Sequence, residues 1–408
     1  MKTCSKPFFA LMFFLALAFQ QCLAQLAPPA PAAPVVLGDW LKISEEASKF
    51  WQIKPEADTQ FAAILQAKQA GRLMQDKKIL FLYPRASLAY DTALSKILTV
   101  FMEKGFTAKI RAVNFQGQAA LGHQAMQSAE KEKYDLVFAM GSDSVSFVHQ
   151  FYRNGKIPIV TVCAKDPVLM GITPSYTEGS NTKIAYTSLN MPVDVQLSYL
   201  LQVKPKLINI AIMVDKKNSS AMQTQAIPLE TLAKARGINV QWVKIEGAET
   251  ANDLLTQNIP LALAEMKKTD SALSSSIFWI TGSTTIFSRI ALINRYTENV
   301  AVLSAVPDVV RAGDDSAAMS IGIGFEENGY LAALYGFNVL NGKASVGSLP
   351  VGIVSPPEVA INFKKARQVD LKIPFSLFEK ASSVYNAEGQ LVRTKGVRVL
   401  AEAVAPTQ

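Results

Sequence analysis

The sequence predicts an α/β protein built from two doubly wound parallel sheets. Short apolar segments alternate with amphipathic segments along most of the chain, and the apolar segments carry almost no charge. Such strands are typical of parallel sheets that helices cover on both faces. The chain has 408 residues, and at roughly 100 to 200 residues per domain this length favours two sheets over one.

The composition excludes several classes of protein. Hydrophobic residues make up 49% of the chain and charged residues 18%, unlike disordered or collagen-like chains. The net charge is +8, from 41 basic and 33 acidic residues, but no run of five like charges occurs. Because nucleic-acid binding needs a local basic stripe, we expect a mildly positive solvated surface and no nucleic-acid partner.

Residues 1–24 have the pattern of a cleaved secretory signal peptide. Lys2 and Lys6 precede an apolar run over residues 7–19, which is shorter than the ~20 residues of a membrane-spanning helix. Small residues lie three positions and one position before the bond that follows Ala24, as signal peptidase requires. We therefore expect cleavage after Ala24 and a periplasmic protein.

Cys22 is an alternative attachment point for a lipid, as in a bacterial lipoprotein. The preceding Phe19-Gln20-Gln21 argues against lipidation, because small or aliphatic residues normally precede a lipidated cysteine. After cleavage Cys163 is the only cysteine left, so no internal disulfide is expected. It lies at the end of an apolar strand, where we expect a buried small hydrophobe.

A linker over residues 25–38 and a helical extension over residues 39–77 are predicted before the body of the chain. The linker is rich in proline and alanine, which favour an extended conformation. In the extension, apolar residues recur with a period of about 3.6 residues. This pattern predicts two amphipathic helices, with Trp40 and Trp51 as packing anchors against the body.

In the body, apolar segments of strand length alternate with helical patterns. The first strand ends at Pro84, Asp91 is a suitable N-cap for the next helix, and Gly105 ends that helix. Strands are predicted over residues 77–83, 109–113, 136–140, 158–163, 207–214, 240–245, 276–280 and 300–304. Helices are predicted over residues 91–104, 119–133, 144–154, 193–201, 220–236, 260–269 and 285–295.

We expect function in the loops that follow the strands, because ligands bind at the carboxyl ends of strands in doubly wound sheets. These loops are small and polar, and their hydroxyls, carboxylates and helix N-termini suit a small zwitterion. The alternative is that Ser142, Ser219 and Thr285 only cap the helices that follow them.

The sequence contains little that supports catalysis. Its only two histidines, His123 and His149, both lie on predicted helices. It lacks a Gly-x-Ser-x-Gly elbow, a phosphate-binding glycine-rich loop, Cys-x-x-Cys and His-Glu-x-x-His. We therefore predict a binding protein with no cofactor and no metal ion, and not an enzyme.

The order and spacing of several short segments identify a family resemblance. The segments are Val113-Asn-Phe-Gln-Gly117, Tyr134-Asp-Leu-Val-Phe-Ala-Met-Gly-Ser142, Ile157-Pro-Ile-Val160 with Asp166-Pro-Val168, Leu340-Asn-Gly-Lys343, and Ala360-Ile-Asn-Phe-Lys-Lys-Ala366 with Leu371-Lys-Ile-Pro374. Over about residues 78–385 the chain resembles the ABC-transporter substrate-binding proteins that include the tryptophan and tyrosine binders. The resemblance implies the type I periplasmic-binding-protein fold, in which a three-strand hinge joins two lobes.

The same resemblance implies the domain boundaries. Lobe 1 would comprise residues 78–187 and 323–348, and lobe 2 residues 188–322 and 349–385. Residues 386–408 would form a C-terminal tail, which lies outside the resemblance and in which the run from 397 to 400 is strand-like. The chain would cross between the lobes near residues 185–190, 318–325 and 349–356.

Candidate ligand contacts also follow from the resemblance. Lobe 1 would supply Ser87, Asp91, Ser142, Asp143, Ser144 and Asp166. Lobe 2 would supply Asn218, Ser219, Thr281 and Asp308. The family usually has Gly-Thr-Pro where this chain has Gly141-Ser142-Asp143, so the identity of the solute does not transfer.

We therefore predict a periplasmic solute-binding protein of an ABC importer. It would hold an amino-acid-like or other small polar solute by hinge closure and present it to a permease in the inner membrane. Tyr83, Tyr90 and Phe287 are aromatic candidates for one wall of the site, with ordinary packing as their alternative role. The alternative function is a periplasmic interaction or sensor protein that uses the same fold to hold a protein partner.

Overall fold

The computed structural model describes residues 38–57, 59–68 and 77–399. The predicted signal peptide and almost all of the predicted linker lie outside the described residues, so both stay predictions. Within the described ranges, no helix is long and apolar enough to cross a membrane.

The strands fall into two large sheets and one small pair. In chain order they are β1 Trp51–Glu56, β2 Thr59–Ala67, β3 Lys78–Tyr83, β4 Lys109–Asn114, β5 Leu136–Met140, β6 Ile159–Val162, β7 Ile184–Ala185, β8 Thr187–Ser188, β9 Asn209–Asp215, β10 Asn239–Ile245, β11 Ser276–Ile280, β12 Ala301–Ser304, β13 Met319–Gly322, β14 Gly352–Ile353, β15 Glu358–Asn362, β16 Ser383–Tyr385, β17 Leu391–Thr394 and β18 Val397–Arg398. Among the described residues, the first sheet has the order β1-β2-β4-β3-β5-β6-β7 and the second β10-β9-β11-β12-β13-β15-β16-β17-β18.

Each of the two large sheets contains a run of adjacent parallel strands among the described residues. The strands β4, β3, β5, β6 and β7 pair in parallel, as do β10, β9, β11, β12 and β13. The strands β5, β9 and β11 are buried along their whole length, as their apolar sequences require. The predicted α/β class with two parallel-rich sheets is therefore confirmed.

Helices pack on both faces of these sheets. In chain order the α-helices are α1 Glu45–Ser48, α2 Leu88–Glu103, α3 Ala119–Lys131, α4 Gly141–Tyr152, α5 Val193–Val203, α6 Ser219–Ala221, α7 Ile227–Ala235, α8 Ala251–Lys267, α9 Thr284–Phe287, α10 Ile290–Tyr296, α11 Phe325–Leu340, α12 Phe363–Gln368 and α13 Phe375–Lys380. Along β3, Ile79 and Phe81 join the apolar cluster that contains α2, whereas Leu80 and Leu82 join the cluster that contains α3 and α4. The alternation of side chains along a strand therefore places one core on each face.

The predicted helical extension is wrong over residues 39–57 and 59–68, and residues 69–76 lie outside the described residues. The structure has the single helical turn α1, and then β1 and β2 form an antiparallel hairpin that pairs with the edge of β4. The apolar run over residues 61–65 is too short for its period to separate helix from strand, and the open edge of β4 supplies hydrogen-bond partners to a strand. Trp51 is fully buried and donates from Nε1 to the carbonyl oxygen of Leu98 at 3.3 Å, so its predicted packing role is confirmed.

The described part of the C-terminal tail also joins a sheet. The strands β17 and β18 form an antiparallel hairpin that extends the second sheet through β16. The strand-like run predicted from residue 397 is a strand at Val397–Arg398, and its last residue, 400, lies outside the described residues.

Between the two sheets lies a hinge region, where β8 and β14 pair in parallel. The side chain of Asn328, on α11, is fully buried there. Its Oδ1 accepts a hydrogen bond from the backbone N–H of Cys163 at 2.7 Å, and its Nδ2 donates to the carbonyl oxygen of Ser188 at 3.2 Å. One amide thus ties the end of β6 to the hinge.

A cluster of carboxyl groups, Asp308, Glu326, Glu327 and Glu358, lies where β13 leads into α11. Burial, followed by the neighbouring Glu327 and Asp308, raises the pKa of Glu358 to about 8. Burial also raises the pKa of Asp308 to about 6, with smaller contributions from Glu327 and Glu326. A Cβ atom at Gly324 would overlap the carboxyl oxygens of both Glu327 and Glu358, so a side chain at this turn would displace both carboxyl groups.

We predict that Glu358→Gln makes the fold more resistant to alkaline pH. Because the pKa of Glu358 in the folded state lies above its ordinary value of 4.5, its contribution to stability is complete below pH 4.5 and is lost as the pH rises towards 8. Over this range the free energy of unfolding should fall less in the variant than in the wild type, by roughly 1 to 3 kcal/mol. Urea unfolding at pH 5 and pH 8 measures the difference.

The exposed Glu249 supplies the control for this experiment, as Glu249→Gln. The control should keep the wild-type dependence on pH. Equal dependence in the wild type and Glu358→Gln would contradict the assignment of a raised pKa to Glu358.

Candidate functional site

A cavity of about 240 Å³ lies between the two sheets. Its lining comes mainly from the loops that follow β3, β5 and β6 of the first sheet and β9, β11, β12 and β13 of the second. The carboxyl ends of both sets of parallel strands therefore open towards one cleft, which is where doubly wound sheets bind ligands.

Half of the ten residues predicted to contact a ligand line this cavity. They are Ser87, Ser142, Asp143, Asn218 and Ser219. Ser87 is the N-cap residue of α2, but its hydroxyl makes no capping hydrogen bond. Asn218 does cap the next helix, since its Oδ1 accepts from the backbone N–H of Ala221 at 3.0 Å. Asn218 therefore both caps a helix and lines the cavity, whereas Ser87 lines the cavity without a capping hydrogen bond.

Asp143 lies on the cleft but is already neutralised. Its carboxylate forms an ion pair with the guanidinium of Arg85, which also lines the cavity. Both side chains are 57% exposed, so the pair is well solvated and contributes little to stability.

The structure places the other five predicted contacts outside the cavity lining. They are Asp91, Ser144, Asp166, Thr281 and Asp308. Two of them brace strand ends: the Ser144 hydroxyl donates to the carbonyl oxygen of Leu82 at 2.9 Å, and the Thr281 hydroxyl donates to that of Met213 at 2.9 Å. Asp308 belongs to the carboxyl cluster at the hinge.

Asp166 caps its own loop. Its Oδ1 accepts from the backbone N–H groups of Val168 and Leu169, each at 2.9 Å, and its Oδ2 accepts from the hydroxyl of Tyr176 at 2.8 Å. The side chain is buried, so both oxygens are already satisfied within the loop.

Asp91 faces the N-terminal segment instead of the cleft. Burial raises the pKa of Asp91 to about 7, and the backbone of Lys42 opposes this shift. Its Oδ1 is buried and has no hydrogen-bond partner among the residues described.

Asp215 is a lining residue that the sequence analysis missed. It is the last residue of β9, is 3% exposed, and comes from the second sheet. Its Oδ1 accepts from the backbone N–H groups of Lys217 at 3.0 Å and Gly247 at 2.9 Å. No hydrogen bond to its Oδ2 occurs within the described part of the chain, so one carboxylate oxygen remains free beside the cavity.

Lys165, which precedes Asp166 in the loop after β6, was also missed. It lines the cavity from the first sheet and is only 7% exposed. Its backbone N–H donates to the Ser142 hydroxyl at 3.0 Å. Burial lowers the pKa of Lys165 to about 8.

A sequence signal existed for both missed residues. Each is a charged side chain at or just after the carboxyl end of an apolar strand, where the cost of burying a charge is high unless it has a role.

Within the described ranges, no group of three or more histidine, cysteine, aspartate or glutamate side chains is placed to hold a metal ion.

Two of the three aromatic candidates line the cavity. They are Tyr90 and Phe287, whereas Tyr83 is fully buried in the core. Gly141 has a φ of 77°, and a Cβ atom there would overlap the hydroxyl of Tyr90. The hydroxyl thus lies against the start of α4, at the edge of the cleft.

We predict that Asp166→Ala destabilises the protein. The change removes the acceptors of three hydrogen bonds and leaves two backbone N–H groups and a tyrosine hydroxyl without their partner. The free energy of unfolding should fall by roughly 2 to 4 kcal/mol, measured by urea unfolding at pH 7. Asp143→Ala, at a solvated ion pair, should change it by less than about 1 kcal/mol. Equal effects of the two substitutions would contradict the capping role of Asp166.

The chain matches a model of the family described as ABC transporter substrate binding protein, over residues 89–385. No curated protein matches the chain at a significant level. Three solved structures, at 20% identity or less, share its fold. A conserved domain protein from Vibrio cholerae is 18% identical over 76% of this chain and 100% of its own, with a TM-score of 0.61.

The ABC domain in complex with L-Trp from Streptococcus pneumoniae is 16% identical over 76% of this chain and 100% of its own, with a TM-score of 0.59. An open, ligand-free substrate binding protein with adhesive properties from Clostridium difficile is 20% identical over 78% of this chain and 100% of its own, with a TM-score of 0.57. Because the family model spans well over half of the sequence, this protein belongs to the ABC transporter substrate binding protein family.

Proposed function

We propose that the protein is the receptor of an ABC importer and captures an amino-acid-like solute in the cleft between its lobes. The observation that carries this proposal is the cavity itself, which polar loops from both sheets line together. A solute held there contacts both lobes at once, so it favours the closed arrangement over the open one.

The size of the cavity favours a small solute. Its volume of about 240 Å³ is below the ~300 to 1,000 Å³ that is usual for sites that bind drug-sized molecules. Seven side chains of the lining carry hydroxyl groups, and five are charged. The hydroxyls come from Ser87, Tyr90, Ser142, Ser219, Ser220, Thr284 and Thr285.

The charges on the cleft favour a zwitterion. The free carboxylate oxygen of Asp215 belongs to the second sheet, and the ammonium group of Lys165 belongs to the first. A ligand with one cationic and one anionic group complements both side chains. Tyr90 and Phe287 provide apolar surface for the rest of such a molecule.

Delivery to a permease completes the proposed role. The chain belongs to the ABC transporter substrate binding protein family, which supports a role in which it presents its solute to a permease in the inner membrane. We place the protein in the periplasm, because residues 1–24 have the features of a secretory signal peptide.

We predict that a thermal-shift screen of the free L-amino acids finds at least one ligand that raises the melting temperature. A ligand at about 100 times its Kd adds about 2.7 kcal/mol to the free energy of unfolding. A screen with no response, together with a stable protein partner recovered from periplasmic extract, would support the interaction or sensor role instead.

We predict that Asp215→Asn weakens binding of the ligand found in this screen by about tenfold or more, measured by isothermal titration calorimetry. Asparagine keeps an oxygen for the N–H groups of Lys217 and Gly247 but removes the charge that an ammonium group needs. Asp194→Asn, at an exposed aspartate, is the control and should leave the affinity unchanged. Unchanged affinity in Asp215→Asn would show that the cationic group of the ligand lies elsewhere.

A further inference from the structure

The side chain of Lys165 is buried on the wall of the cavity, and its ammonium group has no partner among the described residues. Nζ makes no hydrogen bond and no ion pair with any of the described residues, although the side chain is only 7% exposed. Burying a cation without an opposite charge is costly, so buried lysines are normally paired. An unpaired lysine on the wall of a binding cavity indicates that its partner comes from the ligand.

The side chain of Lys165 reaches across the cleft to the opposite lobe. A Cβ atom at Gly282, in the loop after β11, would overlap Nζ of Lys165. The backbone N–H of Gly282 donates to Oε1 of the buried Gln225 at 2.7 Å, which fixes this loop in place. The absence of a side chain at residue 282 therefore leaves room for the ammonium group between the lobes.

Few other titratable groups on the cavity wall are available to pair with the ammonium group of Lys165 or with its ligand. The titratable side chains on the cavity are those of Arg85, Tyr90, Asp143, Cys163, Asp215 and Lys217. Arg85 and Asp143 neutralise each other, and burial raises the pKa of Cys163, so its thiol stays uncharged. None of the described carboxylates forms an ion pair with Nζ of Lys165.

We propose that Lys165 is the residue that selects for an anionic group on the solute, binding a carboxylate between the lobes beside Gly282. This inference rests on the proposed solute-binding function and adds to it a required chemical group. A ligand without that group leaves the buried ammonium unpaired, and specific sites discriminate strongly on this ground.

The same geometry couples binding to proton uptake. In the empty cleft burial lowers the pKa of Lys165 to about 8, so above that pH most of the protein holds a neutral amine there. A bound carboxylate favours the ammonium form and raises this pKa again. The affinity for a carboxylate ligand should therefore be constant below about pH 8 and fall as the pH rises further.

The test compares each proteinogenic L-amino acid with its C-terminal amide, by isothermal titration calorimetry on the mature full chain. For the amino acid that binds wild-type protein most tightly, the amide should bind at least about tenfold more weakly. In Lys165→Met this difference should shrink to less than about threefold. Lys216→Met, at an exposed lysine that does not line the cavity, is the matched control and should keep the wild-type preference.

Lys165→Arg provides a second readout that does not depend on Lys165→Met folding. Arginine stays charged throughout the accessible range, so between pH 8 and pH 10 the affinity of Lys165→Arg should decline less than that of the wild type, because only the loss of the proton on the ligand's own ammonium group remains. Equal binding of acid and amide by the wild type, or an equal decline in Lys165→Arg and the wild type, would overturn the role of Lys165 and leave the proposed function standing. If neither acids nor amides bind the wild type, the proposed function fails as well.

Discussion

The parallel direction of the strands determines where the loops that line the cleft lie. Five adjacent strands of each large sheet run parallel within the described residues, so the loops at their carboxyl ends are gathered at one edge. The two edges face each other across the cavity, and seven of these loops contribute to its lining. The cleft is thus a direct result of parallel pairing in two sheets that the chain connects through the hinge.

Polar residues at these strand ends serve two separate purposes. Some hold the loops in shape, as Asp166 does with both of its carboxylate oxygens and as Thr281 does with its hydroxyl. Others keep polar atoms free beside the cavity, as Asp215 and Lys165 do. The loops that carry the site are stabilised by the first set, so that the second set can remain unpaired until a ligand arrives.

The sequence predicted the fold well because its strands are apolar and buried; β5 and β11 have the bounds that the pattern indicated. It also located the loops that line the cleft. The sequence could not show that both carboxylate oxygens of Asp166 accept hydrogen bonds within its own loop, whereas one oxygen of Asp215 stays free. Only the folded chain shows which N–H and O–H groups lie beside each carboxylate. The hairpin of β1 and β2 was mistaken for helices, since its strand character comes from pairing with β4, which is distant in the sequence.

A crystal structure with an amino acid bound tests the central claim most directly, namely that one small zwitterion is held by both lobes at once. We expect the ammonium group of the ligand within hydrogen-bond distance of Asp215 Oδ2 and its carboxylate within the same distance of Lys165 Nζ. A ligand bound outside the cleft, or one that contacts a single lobe, would contradict the account.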